Sequence, residues 1–129
     1  DSSRPPKTFD IPGLIIYRFD APLYFGNANY FKDRVLNLIN SSENKVNWFL
    51  LDAESISSID STGAKTIKSV MRELNSKDIG FVTARMKGPM RDTLRKTHLG
   101  AKIENRPHFP SIGKAYEAYC EKYGIVSRR

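Results

Sequence analysis

Six consecutive residues, Val46-Asn47-Trp48-Phe49-Leu50-Leu51, set the tightest limit on how this chain can fold. A run so short and so nearly apolar has no face to give to water, so it reads as a central strand covered on both sides. Helical periodicity flanks it. Before it, Ala28, Phe31, Val35, Leu38 and Ile39 recur at helical spacing, with Lys32, Asp33, Arg34 and Asn37 on the other face. After it, Ala64, Ile67, Val70, Met71 and Leu74 mark a second amphipathic helix. The spacing predicts helices over residues 27–40 and 62–76, around a strand at 46–51.

The same alternation runs through the rest of the chain. Leu14-Ile15-Ile16-Tyr17-Arg18-Phe19 and Ile79-Gly80-Phe81-Val82-Thr83-Ala84 read as strands. Leu23-Tyr24-Phe25 reads as a short extended piece. Only the tight turn Asp20-Ala21-Pro22 separates it from the first strand, which predicts an antiparallel pair. Gly88-Pro89 opens a third helix, with proline suited to its first turn, and Gly100 closes it. A further extended piece is expected near Ala101 to Ile103. Pro110-Ser111 begins a last helix, whose Ile112, Tyr116, Tyr119 and Tyr123 form one stripe. Strands alternating with helices through short connections predict an α/β fold. We expect a single domain with a mixed, mostly parallel sheet of about four or five strands and about four helices.

Composition agrees with one core: 129 residues, 40% of them hydrophobic, fit one globular domain. No run approaches the roughly 18 apolar residues of a membrane span. The single cysteine rules out an internal disulfide and fits a reducing compartment; Cys120 itself reads as a small buried residue of the last helix. Residues 1–12 are polar and proline-bearing, and read as a linker; a start at Asp1 without methionine points to a segment of a longer protein, and a processed or tag-trimmed start would look the same. The domain proper is expected over residues 13–126, with 127–129 as a tail.

The net charge of +7 is unevenly spread. Residues 1–60 hold 6 Lys/Arg and 8 Asp/Glu, whereas residues 61–129 hold 15 and 6. Such a field favours acidic partners without choosing among them. Arg85, Lys87, Arg91, Arg95, Lys96 and Lys102 cluster about the third helix, but few aromatics interleave with them and no nucleic-acid-binding signature is present, which argues against nucleic acid. Enzyme chemistry finds little support. His98 and His108 have no partners at metal-ligand spacing, there is no G-x-S-x-G elbow, and no metal site is expected. Asp52, Glu54 and Asp60 read better as studs of a strand end and its loop than as an acid–base set.

The informative loop is Asp60-Ser61-Thr62-Gly63, at the carboxyl end of the central strand's segment, where functional loops of α/β sheets lie. Residues of this type cap a helix by accepting hydrogen bonds from its unpaired amides. The same amino end tolerates an anion, so a phosphate carried covalently on Ser61 would also be accommodated. The loop lacks the G-x-x-x-x-G-K-[ST] pattern of a nucleotide cradle. Lys65, Lys68 and Arg72 fall together on the helix face opposite Ile67 and Leu74, a basic stripe that reads either as a solvated face or as a docking surface for an acidic partner.

Taken together, an apolar strand, Asp-Ser-Thr-Gly opening a helix, and a tyrosine-rich final helix resemble the STAS domain from about Ile11 to Tyr123. That domain occurs in bacterial anti-sigma-factor antagonists and in the cytoplasmic tails of SulP-type inorganic anion transporters. The stretches PGLIIYRFDAPLYFGNANYFKDRV, KGPMRDTLRKTHLG and FPSIGKAYEA resemble the transporter version. The resemblance implies a non-catalytic regulatory and protein-interaction domain of a sulfate or related anion transporter. It would sit on the cytoplasmic side of the membrane, behind membrane spans that precede residue 1. Implied partners are the transmembrane part of the parent and a regulatory protein or kinase, with the isolated domain a monomer or weak dimer. Ser61 occupies the position phosphorylated in the antagonists, and Asp60, Ser61, Thr62 and Gly63 would be the regulatory loop. A stand-alone antagonist switched at Ser61 is the alternative. No cofactor is expected; nucleotide binding is implied by the resemblance alone.

Overall fold

The computed structural model describes residues 11–96 and 108–126. Eight elements follow one another: β1 (Leu14–Arg18), α1 (Ala28–Asn40), β2 (Trp48–Asp52), α2 (Ser61–Ser76), β3 (Gly80–Ala84), α3 (Gly88–Arg95), β4 (His108–Phe109) and α4 (Ile112–Tyr123). The four strands form one sheet in the order β1-β2-β3-β4, every neighbouring pair parallel. Register is regular, Ile16 opposite Leu50 and Leu50 opposite Val82.

The apolar run behaves as its composition demands. All five residues of β2 are buried: successive side chains of the first four enter two different cores, and Asp52, the fifth, is paired with Arg85. Phe49 and Leu51 join Phe31, Val35, Ile67, Val70 and Phe81 beneath α1, α2 and α3. Trp48 and Leu50 join Leu14, Val82, Tyr116 and Tyr119 beneath α4 on the opposite face. Cys120 is buried in that second core.

Tyr119 also ties distant parts of the chain together. Its hydroxyl donates to the Pro12 carbonyl at 2.8 Å and accepts from Asn47 Nδ2 at 3.2 Å. Gly13, at φ +88°, lies so close under the phenol that any side chain there would collide with it. Burial raises the Tyr119 hydroxyl above the ordinary tyrosine pKa.

Two expectations need correction. Leu23-Tyr24-Phe25 does not pair with β1; Leu23 makes a single parallel bridge to Ile59, and β1 pairs in parallel with β2. The reason is the turn chemistry of Asn27, whose side-chain oxygen accepts from Tyr24 N at 2.9 Å while its amide donates to the Pro22 carbonyl at 2.8 Å. That wraps the segment into a turn before a hairpin can form. The sheet is therefore wholly parallel among the described residues, not mixed. Strand β4, only two residues long, was missed because so short a piece carries no pattern. The expected stop at Gly100 and the extended piece near residues 101–103 lie outside the described residues.

Candidate functional site

Asp60 builds the site. With extended backbone it caps α2: Oδ1 accepts from Gly63 N at 2.7 Å, satisfying one of the amides that every helix leaves unpaired at its start. Its other oxygen, Oδ2, accepts from Phe25 N at 3.1 Å. One carboxylate therefore holds both the helix start and the loop before α1. Backbone bonds from Leu23 N to Ser58 O (3.0 Å) and from Asp60 N to Leu23 O (3.2 Å) close the same junction.

Gly63 is needed for a different reason from the turn freedom usually credited to glycine. It is helical, but a Cβ on it would stand 2.5 Å from the Leu23 carbonyl oxygen. Only a residue without a side chain lets α2 approach that strand-like segment so closely. Ser61 and Thr62, one residue away, are exposed to solvent. The structure thus brings Asp60 and Gly63 into the framework and leaves Ser61 and Thr62 on the surface.

The basic stripe follows from the helix. Lys65 and Arg72 are exposed and Lys68 is half-buried, on the side away from the buried Ile67 and Leu74. None of the three joins an ion pair among the described residues. A fourth cation escaped sequence reasoning: Lys32 of α1 reaches across to Ser69 Oγ at 2.7 Å, beside the stripe. Helical spacing places Lys32 on the exposed flank of α1, but nothing in a single sequence says which helix lies next to it.

The second basic cluster is partly neutralised. Arg85 forms a two-point pair with Asp52, Nη2 to Oδ2 at 2.7 Å and Nε to Oδ1 at 3.3 Å, and also meets Glu54 at 3.2 Å. Asp52 is only 4% exposed, and its carboxylate, hydrogen-bonded to Arg85, raises that guanidinium above its ordinary pKa. Arg18 extends the network to Asp20, to Ser55 Oγ at 2.7 Å and to Glu54 at 3.6 Å. Its bond to Arg18 holds Asp20 below the usual carboxylate range. Asp52, Glu54 and Asp60 are therefore spent on ion pairs and a cap, as studs of a strand end and its loop. Arg85 sits at φ +59°, a left-handed conformation that its sequence context does not betray. Lys87 and Lys96 are exposed, Arg91 is half-buried, Arg95 lies 3.9 Å from Asp92, and Lys102 and His98 lie outside the described residues.

His108 meets Thr83 Oγ1 through Nδ1 at 2.8 Å, and burial, with Arg91 nearby, depresses its pKa. No group of three or more His, Cys, Asp or Glu suited to a metal occurs among the described residues. No helix among them is long and apolar enough to cross a membrane.

Comparison with known proteins gives this geometry a context. A "Probable sulfate transporter" of Mycobacterium tuberculosis is 36% identical over 114 residues, 88% of this chain but 20% of that protein. The chain thus spans about a fifth of the length of the curated relatives it matches. Among solved structures, the murine solute carrier 26 family member A9 anion transporter in its inward-facing state superposes with a TM-score of 0.77 at 18% identity, over 87% of this chain and 18% of that one. A putative anti-sigma factor antagonist from Thermotoga maritima gives 0.69 at 21% identity, over 84% and 88%. The pattern of one family, described as the STAS domain, matches residues 6–115. With its parallel sheet, its Asp60-capped helix and these relatives, the chain belongs to the STAS domain family.

Proposed function

We propose that this chain is the regulatory and protein-interaction domain of a SulP-type transporter for sulfate or a related inorganic anion. It makes and breaks no bonds itself and lies on the cytoplasmic side of the membrane, acting through the transmembrane part of its parent. The observation that carries this reading is the 36% identity across 88% of the chain to the "Probable sulfate transporter" of Mycobacterium tuberculosis, four-fifths of which lies outside the match.

Within that role, Ser61 is the phosphoacceptor and the residues 60–63 loop is the contact that phosphorylation changes. Its exposure supports this, since a kinase needs to reach the hydroxyl. A phosphate there would meet the free amides and positive end of α2, and Lys65 one turn on, so the fold would tolerate it. Asp60 next to it would oppose the added charge, so the modification changes the contact surface more than it tightens the domain. The test compares wild type, Ser61→Ala and Ser61→Asp. Melting of the 129-residue chain should move by no more than a few degrees, because a carboxylate also suits a helix start. Anion uptake by the full-length parent should differ between Ala and Asp. Identical uptake in all three, with only the melting point moving, makes Ser61 part of the cap and nothing more.

The likeness to an anti-sigma factor antagonist, together with an exposed serine in this loop, favours a second reading as a stand-alone antagonist. The reading frame ahead of Asp1 separates the two: ten or so membrane spans for the first, an initiator methionine within a few codons for the second.

A further inference from the structure

The turn before α1 presents two aromatic rings to solvent. Phe25 is 74% exposed and Tyr24 45% exposed, and the rings pack edge to face at 5.6 Å. Most large exposed apolar groups need no explanation when single and mobile. This pair is neither. Tyr24 N is bonded to Asn27, Phe25 N to the Asp60 carboxylate, and Leu23, immediately before them, is fully buried. The rings are thus held outward on a fixed backbone, with little ordering entropy left to lose on contact.

The basic row starts at the same place. Phe25 hangs from Asp60, and Ser61, the next residue, lies on the same arc of α2 as Lys65, Lys68 and Arg72. The eleven steps from Ser61 to Arg72 run about 16 Å along the helix. Lys32 stands beside them through Ser69. No carboxylate pairs with any of these four cations among the described residues; Glu73, half-buried, is the acidic neighbour on the same helix.

We propose that this aromatic tip and its cation row form a docking surface for an anionic lipid bilayer. Phenyl and phenol rings settle at the headgroup level, and lysine and arginine beside them meet lipid phosphates. A bilayer is favoured over a protein because the rings stand out on a turn and need no preformed pocket in a deformable interface. A protein partner would have to offer a matching hole to both. Charge complementarity supplies the second signal that weak apolar insertion requires.

The experiment is co-sedimentation of the 129-residue chain with vesicles of phosphatidylcholine alone or with about 30% phosphatidylglycerol, at low and high salt, after circular dichroism shows each variant folded. Binding is expected to the anionic vesicles only, and to weaken with salt. Lys65→Ala with Arg72→Ala should lower the partition constant about 25-fold, from roughly fivefold per charge. Phe25→Ser, which leaves the charges in place, should lower it about tenfold. Lys87→Ala with Lys96→Ala removes equal charge from the two ends of α3 and should cost much less. Equal losses from the α3 pair, insensitivity to Phe25→Ser, or no preference for anionic vesicles overturns the proposal. Retention on a polyglutamate peptide resin without vesicle binding also overturns it, and gives the surface to an acidic protein.

Discussion

Replacing Gly63 with alanine sets two effects against each other, and the structure decides the sign. In an open helix the change would stabilise by about 1 kcal/mol, through lower backbone entropy. Here the new methyl would lie 2.5 Å from the Leu23 carbonyl oxygen and 3.2 Å from Leu23 Cγ. Restoring an ordinary carbon–oxygen contact requires a retreat of about 0.8 Å. Leu23 is fully buried and held by backbone bonds of 3.0 Å to Ser58 and 3.2 Å to Asp60, so it has nowhere easy to go. Overpacking of this kind costs about 1–3 kcal/mol, and weakening the two bonds adds about 1 kcal/mol. Net of the helix gain, Gly63→Ala should destabilise by about 1–3 kcal/mol, a fall in melting temperature of about 3–10 °C for a chain this size. Gly88, also at a helix start, has nothing within 4 Å of its would-be Cβ. Gly88→Ala should therefore be neutral or stabilise by up to about 1 kcal/mol. Urea titration and thermal melting by circular dichroism measure both. A Gly63→Ala chain as stable as wild type would refute the close-approach argument.

Asp52→Asn breaks the two-point pair with Arg85, and because Arg85 remains a third exposed the expected loss is about 1–3 kcal/mol, below that of a wholly buried pair; an unchanged urea midpoint would count against the pair. The depressed pKa of His108 means that the unfolded chain binds a proton more readily than the folded one. The stability this gives is complete above the unfolded value of about 6.5 and is lost as pH falls below it toward the folded pKa. Urea midpoints should therefore drop between pH 7.5 and 5.5, less steeply in His108→Gln, and equal slopes in the two chains would remove His108 as the cause.

How far the sequence reached depends on where each signal lives. Helices α1 and α2 were legible because apolar residues repeat at helical spacing along each, with Ala28, Phe31 and Val35 buried in the first and Ala64, Ile67, Val70, Met71 and Leu74 in the second, and β2 because both of its faces are covered. The cap at Asp60 was legible too, since capping needs only residues three apart. What could not be read was anything settled by contacts across the chain. The Phe25–Asp60 bond joins residues 35 positions apart, Arg85–Asp52 33 apart, and Lys32–Ser69 37 apart. The antiparallel hairpin failed partly for the same reason, because Leu23 finds its partner in Ile59 and not in its neighbour β1, and partly because the Asn27 side chain folds residues 22–27 into a local turn. The apolar pattern of Leu23-Tyr24-Phe25 was real, but only its first residue is buried.

The phenol of Tyr119 also has a mechanical meaning. It grips the Pro12 carbonyl 107 positions away, at the spot where the chain turns into β1. A pull on whatever is joined ahead of Ile11 therefore reaches the structure by two routes at once, along β1 into the sheet and through one hydrogen bond into α4. Stretching that 2.8 Å bond by an ångström severs it, and the tension is then carried by the sheet, along β1 and through the Gly13 carbonyl, which accepts from Asn47 N and Trp48 N. Trp48, stacked edge to face against Tyr119 at 5.4 Å, registers the slip as a change of its surroundings. Pro12 and the final helix are thus joined like a rope and its cleat, with the indole packed against the ring that makes the joint.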